Sequence, residues 1–218
     1  MKMSQSVIPK PWGSEYIAFE NRHLSIWLLN IKKGQKTSLH CHPNKKTGLI
    51  LLNNEAKISL IERSFKIKGL SKIMIRSECF HQTEALGNGI CVLEIETPKN
   101  KKNLVRIKDS YGRKNKGYES KITWVKRGKE HLFIPNKNDT TTFYEGFSFS
   151  IKDLSLNSLN KLNPDSLIVV LNKCAFRNSE YNFCSLGEVL SVKTALFLAN
   201  EYEINKNTKV MIISNEAL

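Results

Sequence analysis

Three histidines have the spacing of a metal site. His40 and His42 stand two residues apart in the segment TSLHCH at 37–42. On a β-strand, residues two apart point to the same face, so both imidazoles can enter one interior. His81 follows a strand-like run at 73–75 and can supply a third nitrogen from a neighbouring strand. An HxH pair alone fits two ordinary surface or core histidines, but the third histidine favours a divalent-metal site, because neutral imidazole binds Zn, Fe, Ni and Mn.

Two carboxylates share one face of another predicted strand, at 91–96. Glu94 and Glu96 alternate there with Leu93 and Ile95. If the apolar pair packs outside a barrel, both carboxylates face its interior. They are then candidate catalytic residues, since a carboxylate beside a metal-bound substrate can act as a general acid or base. In the opposite orientation both carboxylates are solvated.

The elements that must position these side chains are strands. Runs rich in Ile, Leu, Val and Phe, separated by Gly, Asn, Lys or Pro, recur along the chain. No helical period is sustained over three turns before residue 150. The pattern predicts an all-β barrel or sandwich of short antiparallel strands. Predicted strands of the first half lie at 24–31, 49–52, 56–61, 73–75 and 91–96.

A second set of similar runs follows in the second half of the chain. The segment 167–173 echoes 49–55, which suits a barrel duplicated at a period of roughly 115 residues. No histidine follows His131, so a structural or dimerising role is expected for this half. The runs lie at 147–151, 166–171, 175–176, 189–192, 196–199 and 210–213.

Three regions follow from these patterns. Residues 1–113 are predicted to form the metal-binding barrel, 114–138 a polar connecting segment, and 139–218 a degenerate second β-barrel or sandwich. The connecting segment itself contains strand-like pieces at 122–125 and 131–134. Pairing of exposed strand edges predicts a homodimer.

The composition limits partners and location. The 218 residues carry 34 Lys+Arg against 20 Asp+Glu, a formal charge of +14 that attracts anions. The basic residues are scattered and have no interleaved aromatics, so nucleic acid is an unlikely partner. The sequence has no run suited to crossing a membrane and no signal-peptide core at its start, which predicts a cytoplasmic protein. The five cysteines form no CxxC pair and are expected to be free thiols.

Residues 10–113 resemble the cupin superfamily. They are most similar to the carboxy-terminal barrel of type II phosphomannose isomerase/mannose-1-phosphate guanylyltransferase. The similarity rests on KPWGSEY at 10–16, HCH at 40–42, HQ at 81–82, LEIETP at 93–98 and NLVRIKDSYGR at 103–113. It implies a cupin barrel, which is a double-stranded β-helix of jelly-roll type. It also implies that Tyr16 and Arg106 are substrate-binding residues.

One departure from the family pattern concerns the metal. The first motif of the family carries a metal-binding Glu a few residues after the second His, and Thr47 stands at that position here. Either the site is a three-His centre with open positions, or the metal is weak or absent and the barrel only binds a sugar. A carboxylate from 91–96 is a candidate replacement ligand.

The resemblance implies an enzyme that uses a divalent ion (Zn, Fe, Mn or Ni). We expect it to act on a phosphorylated or nucleotide-linked sugar, as an isomerase or epimerase in surface-polysaccharide biosynthesis. Two alternatives stay open: a three-His iron dioxygenase-type cupin, and a non-enzymatic sugar-binding or regulatory bicupin.

Overall fold

The computed structural model of this chain describes residues 6–100, 102–116, 118 and 125–216. The chain divides into two compact units. Unit 1 takes in the described residues of Met1–Glu20 and Ser25–His131, and unit 2 those of Asn21–Leu24 and Leu132–Leu218. The division falls inside the predicted connecting segment, 114–138. Most of the strand predicted at 122–125 lies outside the described residues.

Unit 1 is built from short antiparallel strands. Seven of them form one sheet in the order β12-β1-β2-β3-β10-β5-β8. The strands are β1 Ser6–Lys10, β2 Gly13–Glu20, β3 Ser25–Ile31, β4 Leu39–Cys41, β5 Lys46–Leu51, β6 Glu55–Ser59, β7 Ser64–Lys68, β8 Ser71–Ile75, β9 Gln82–Leu86, β10 Ile90–Thr97, β11 Val105–Lys108 and β12 Val125–Lys126. The strands predicted for the first half correspond to β3, β5, β6, β8 and β10.

The remaining strands of unit 1 form a second layer. β7, β6 and β9 make a three-stranded sheet, and β11 pairs with β4. Isolated bridges between Lys36 and Glu84 and between His40 and His81 join these two groups. The chain enters this layer through a turn at Gly34, whose φ of 67° favours glycine.

The core of unit 1 lies on one face of β10. Ile90 and Val92 belong to the apolar cluster, together with Trp27 and Leu49 from the flanking strands. Because strand residues alternate, Glu94 shares this inward face, and the apolar residues between are buried on the other face. The interior orientation predicted for Glu94 and Glu96 is therefore the one observed.

Unit 2 contains eight strands and two helices among its described residues. They are β13 Thr141–Tyr144, β14 Phe147–Asp153, α1 Leu156–Leu159, β15 Leu167–Val170, β16 Phe176–Arg177, β17 Asn182–Phe183, β18 Val189–Ser191, α2 Val192–Glu201, β19 Glu203–Ile204 and β20 Lys209–Asn215. Its sheets have the orders β13-β14-β20-β15-β18 and β17-β16-β19.

The eight described strands of unit 2 repeat the order of eight of the twelve strands of unit 1. The order β13-β14-β20-β15-β18 matches β2-β3-β10-β5-β8, and β17-β16-β19 matches β7-β6-β9. The predicted all-β fold class, with a second β domain after the first, is confirmed.

The internal repeat has a slightly different register from the predicted echo. The amide of Cys91 donates to the side chain of Asn53 at 2.9 Å, and the amide of Lys209 donates to Asn172 at 2.9 Å. Asn53 therefore corresponds to Asn172, whereas the echo aligned Asn172 with Asn54, one residue later. The echo was one residue out of register, because neighbouring apolar strand residues cannot be told apart by type.

Two predicted strands are absent. The run at 196–199 lies in α2, whose N-terminus is capped by the Ser191 hydroxyl accepting from the Thr194 amide. Ala, Leu and Lys favour a helix here, and Val192 and Ala195 bury one side of it. The run at 131–134 forms no strand. Within the described residues, no helix has the length and apolar character needed to span a membrane.

Candidate metal centre

Sheet pairing brings the three histidines to one place. The backbones of His40 and His81 exchange two hydrogen bonds, 3.1 Å from His40 N to His81 O and 2.8 Å in return. His42 comes directly after β4, two residues from His40 and on the same face. The imidazole centroids lie 4.5–5.6 Å apart. The predicted convergence of the three histidines is thus present in the fold.

Backbone carbonyls determine the tautomer of each imidazole. His40 Nδ1 lies 2.8 Å from Ser38 O, His42 Nδ1 lies 2.6 Å from Asn103 O, and His81 Nδ1 lies 3.0 Å from Cys79 O. A carbonyl oxygen only accepts, so each Nδ1 carries the proton in these contacts and each Nε2 carries the lone pair. Such an outer hydrogen bond is the usual support of a metal-binding histidine.

Two of the inward nitrogens make no hydrogen bond within the described part of the chain that would offset their burial. His42 Nε2 and His81 Nε2 are buried without a hydrogen-bond partner among the described residues. A buried lone pair without a partner is costly, and a cation at this point would remove that cost.

Glu94 adds a carboxylate to the cluster. One ligand atom each from His40, His42, His81 and Glu94 lies within 4.8 Å of all the others, and all four residues are buried. Glu94 Oε1 lies 3.9 Å from His42 Nε2. Thr47 faces the same interior from β5, with its hydroxyl buried and unpartnered among the described residues. The family resemblance implies a metal-binding Glu at the position of Thr47. In this chain the carboxylate of the donor set comes from the neighbouring strand, β10.

Burial keeps two of the histidines neutral. Desolvation, reinforced by the neighbouring His81 and His42, lowers the pKa of His40 well below its ordinary value. Desolvation is also the main reason that the pKa of His81 falls to about 4, although the Cys79 carbonyl opposes it. Neutral imidazoles are the form that binds metal. The three imidazole nitrogens and the carboxylate of the donor set fit a divalent transition metal such as Zn, Fe, Mn or Ni.

The cluster opens into a cavity of about 50 Å³. That volume holds a few water molecules or one end of a small ligand. Trp12, Leu29 and Leu49 supply apolar walls. The charged residues that line it besides the histidines are Lys10, Glu15, Glu94, Arg106 and Arg113.

A buried polar group on the β1–β2 hairpin faces this cavity. Lys10 Nζ lies 3.5 Å from Glu15 Oε1, and both side chains are almost fully buried. The Tyr118 hydroxyl donates to Glu15 Oε1 at 2.6 Å, and Lys10 Nζ lies 4.2 Å from the centre of the Tyr118 ring. Gly13 allows β2 to lie close to β3, because a Cβ there would lie 1.9 Å from the Asn30 carbonyl oxygen.

Two arginines complete the wall. Arg106 lies opposite His40 in the β11–β4 pair, donates from Nε to Ser38 Oγ at 3.1 Å and from Nη1 to Lys116 O at 3.1 Å. Arg113 holds Asp109 through Nη2 at 2.8 Å. Desolvation raises the pKa of Asp109, but hydrogen bonds from Arg113 and Tyr111 outweigh it and leave that pKa lowered.

Two predicted site residues do not reach the cavity. Tyr16, predicted to bind substrate, alternates with Glu15 on β2 and therefore points the other way, where its ring packs edge-on against His131 at 5.0 Å. Glu96, predicted to be catalytic, lies one pair beyond Glu94 and is bound by Lys45 at 2.7 Å, with both side chains buried. Glu96 is therefore an ion-pair residue of the barrel interior.

Sequence reasoning assigned no role to Lys10, Glu15, Arg113 or Tyr118. Lys10 and Glu15 lie in the motif KPWGSEY, where a charged pair flanking a Trp-Gly turn was the available signal. Tyr118 is separated from Glu15 by 103 positions. No spacing pattern in the sequence links them.

No protein-family model and no curated protein matches this chain. Solved structures similar to it include KdgF from Halomonas sp., at 13% identity and a TM-score of 0.40, covering 42% of this chain and 84% of that one. A proposed sugar phosphate isomerase from Acidithiobacillus ferrooxidans is 18% identical, with a TM-score of 0.34, over 37% of this chain and 53% of that one. A cupin 2 domain-containing protein from Halorhodospira halophila is 21% identical, with a TM-score of 0.35, over 44% and 63%.

The strand order and the donor set of unit 1 describe a cupin-type barrel with a candidate metal centre.

Proposed function

We propose that unit 1 is a metal-dependent enzyme acting on a phosphorylated or nucleotide-linked sugar, as an isomerase or epimerase. One observation carries the proposal. The His40, His42, His81 and Glu94 donor set opens into a cavity that is also lined by lysine and arginine. A metal beside fixed cations suits a substrate that carries both hydroxyl or carbonyl oxygens and an anionic group.

Arg106 is the residue best held for binding an anion. Its guanidinium is fixed by the Ser38 hydroxyl and the Lys116 carbonyl, and its charge is buried in the cavity wall. A planar guanidinium matches the oxygens of a phosphate or carboxylate in a bidentate way, which a lysine cannot reproduce. The substrate-binding role predicted for Arg106 is kept in this proposal.

The four donor residues would hold the metal. When bound, a divalent ion supplies polarisation of carbonyl and hydroxyl oxygens, which eases proton transfer at the adjacent carbons. The apolar wall of Trp12, Leu29 and Leu49 lowers the local polarity of the cavity, which strengthens the interaction of the fixed charges with an anionic substrate.

The carboxylate in the donor set favours this proposal over the three-His dioxygenase-type alternative. The size of the cavity limits which part of the substrate can enter it. A cavity of about 50 Å³ admits the reacting end of a sugar, so the nucleotide of any nucleotide-linked substrate would lie outside it. Participation in surface-polysaccharide biosynthesis stays a prediction of the family resemblance.

Metal analysis combined with an isomerisation assay tests the proposal. The purified protein should contain about one divalent ion per chain by elemental analysis. Aldose 6-phosphates (glucose, mannose) and fructose 6-phosphate, followed by NMR, should be interconverted by the metal-loaded protein. Arg106→Lys should raise KM about 10-fold or more, since a bidentate contact is lost.

The matched control is Arg127→Lys. Arg127 donates to the Ile17 carbonyl at 2.9 Å and does not line the cavity, so its variant should keep the wild-type KM. Protein that takes up no divalent ion, or that is metal-loaded and converts none of these sugars, would contradict the proposal.

A further inference from the structure

We propose that Glu15 is the acid–base residue of this site and that Tyr118 and Lys10 position it. The inference rests on the proposed isomerase function and names the group that moves the proton. Glu15 lines the same cavity as the metal donors but belongs to a different element, the β1–β2 hairpin. Glu15 lies 79 positions before Glu94 in the sequence.

Glu94 is committed to the metal. Its carboxylate belongs to the donor cluster with the three histidines. A carboxylate bound to a cation stays ionised and is a poor proton carrier. Acid–base duty therefore falls to another group, and Glu15 is the other carboxylate among the described residues that line the cavity.

The contacts of Glu15 suit that duty. Lys10 Nζ forms an ion pair with Glu15 Oε1 at 3.5 Å, and a carboxylate is a group that can accept a proton from substrate. The Tyr118 hydroxyl, 2.6 Å from Oε1, orients the carboxylate and stabilises its charge. The cation–π contact of Lys10 with the Tyr118 ring holds both partners against each other. Such a buried, supported carboxylate in a cavity wall is held in place before substrate arrives.

The chemical step balances without an outside reagent. Glu15 takes the proton from the carbon next to the sugar carbonyl; the electron pair of that C–H bond forms a C–C double bond, and the π pair of the carbonyl moves onto its oxygen. The neighbouring hydroxyl gives its proton to that oxygen. The electron pair left on the former hydroxyl oxygen forms the new carbonyl, and the π pair of the C–C double bond takes the proton back from Glu15 at the former carbonyl carbon. The aldose becomes the ketose, and Glu15 ends ionised as it began.

Deuterium exchange tests the inference directly. Wild-type metal-loaded protein is incubated in D₂O with fructose 6-phosphate and with mannose 6-phosphate, and deuterium entering the sugar C–H positions is measured by NMR. Glu15→Gln should slow this exchange by about 10²–10⁴-fold, the range for loss of a general acid–base group. Metal content and the thermal shift caused by fructose 6-phosphate should stay at wild-type levels.

Two further variants test the positioning roles of Tyr118 and Lys10. Tyr118→Phe keeps the ring under Lys10 and removes only the hydroxyl, and it should slow exchange and lower kcat while KM stays near the wild-type value. Lys10→Met removes the ion-pair partner of Glu15 and should also lower kcat at an unchanged KM. The other titratable groups facing the cavity are His40, His42, His81, Glu94, Arg106 and Arg113, and they are unchanged in these variants.

Two matched controls are available. Glu20→Gln removes a carboxylate from the other end of β2, where it pairs with Lys99 on the surface. Tyr111→Phe removes a hydroxyl that bonds Gln35 and the Lys36 carbonyl outside the cavity lining. Both should exchange deuterium at the wild-type rate.

The outcomes separate the two ideas. Wild-type exchange that persists in Glu15→Gln overturns the role of Glu15 and leaves the isomerase proposal standing. Wild-type protein that loads metal but exchanges no sugar hydrogen overturns the isomerase proposal, and the role of Glu15 with it. Loss of exchange in Glu15→Gln together with a wild-type kcat in both Tyr118→Phe and Lys10→Met also contradicts the inference.

Discussion

The backbones of His40 and His81 are locked together by two reciprocal hydrogen bonds, at 3.1 and 2.8 Å. Two of the candidate metal ligands therefore come from separate segments that main-chain hydrogen bonds hold in register. Neither imidazole takes part in those two bonds. The site is consequently formed by the sheet before any metal binds, and ligand substitutions should leave the fold intact.

Replacement of a ligand histidine should abolish metal binding without unfolding unit 1. His81→Ala keeps the backbone pair with His40, so circular dichroism should match the wild type while elemental analysis shows loss of the ion. His23→Ala is the control, since His23 contacts Arg22 and lies outside the donor set. Full metal occupancy in His81→Ala would refute the assignment of this centre.

Metal removal should lower stability but not change the fold. A ligand that binds only the folded state adds about 2.7 kcal/mol when its free concentration is 100 times Kd. Chelation should therefore lower Tm, and stepwise addition of Zn or Mn should restore it in proportion to the logarithm of the free metal concentration. A Tm that does not depend on metal would argue against binding at the buried donors.

The metal-free protein should lose stability as the pH falls from about 6.5 to about 4. His81 has a pKa of about 4 when folded, against 6.5 as its ordinary value. Between those values the unfolded state binds more protons, so the free energy of unfolding rises with pH across this window and levels off on either side. The total change from His81 is on the order of 3 kcal/mol. His40, also lowered, adds in the same direction.

Urea unfolding at successive pH values, with chelator present, measures this dependence. His81→Asn should have a shallower slope between pH 4 and 6.5 than the wild type, because one of the two shifted groups is gone. Equal slopes in the two proteins would show that His81 titrates normally in the folded state.

The ion pair Lys45–Glu96 should be worth far more than a surface pair of equal length. Lys45 Nζ and Lys99 Nζ each lie 2.7 Å from a carboxylate oxygen, but the first pair is buried and the second is over a third exposed. Lys45→Met leaves a buried charge unpaired and should cost about 3–5 kcal/mol. Lys99→Met should change the free energy of unfolding by about 1 kcal/mol or less. Similar costs for the two variants would contradict this account.

The parts of the site carried by strand alternation could be predicted from sequence. His40 and His42, and the inward face of Glu94, follow from a two-residue period and the apolar residues between them. Strand alternation also determines where the side chain of Tyr16 points. The family resemblance named Tyr16 as a substrate residue, but alternation places Glu15, its neighbour, on the inward face.

The rest of the site depends on contacts between distant segments. Tyr118 reaches Glu15 across 103 positions, and Asn103 supports His42 across 61. These pairs arise from how loops return to the barrel, which no local periodicity encodes. The strand predicted at 196–199 was wrong for a different reason. Its apolar residues fit both a strand and a helix, and the Ser191 cap and the helix-forming residues of α2 decided the outcome.

The family resemblance implies a metal-binding Glu on β5, at the position of Thr47, whereas the carboxylate of this donor set is Glu94 on β10. The order of the donors along the chain therefore differs from the order that the resemblance implies. With a Glu at the Thr47 position the order would be His, His, Glu, His; with Glu94 it is His, His, His, Glu. Adjacent antiparallel strands present neighbouring positions to the same interior, so this permutation leaves the donors together in space. Linear order is thus a poor descriptor of this centre. A comparison based on the positions of the four donor atoms in space would match this site to sites whose ligands occur in a different order along the chain.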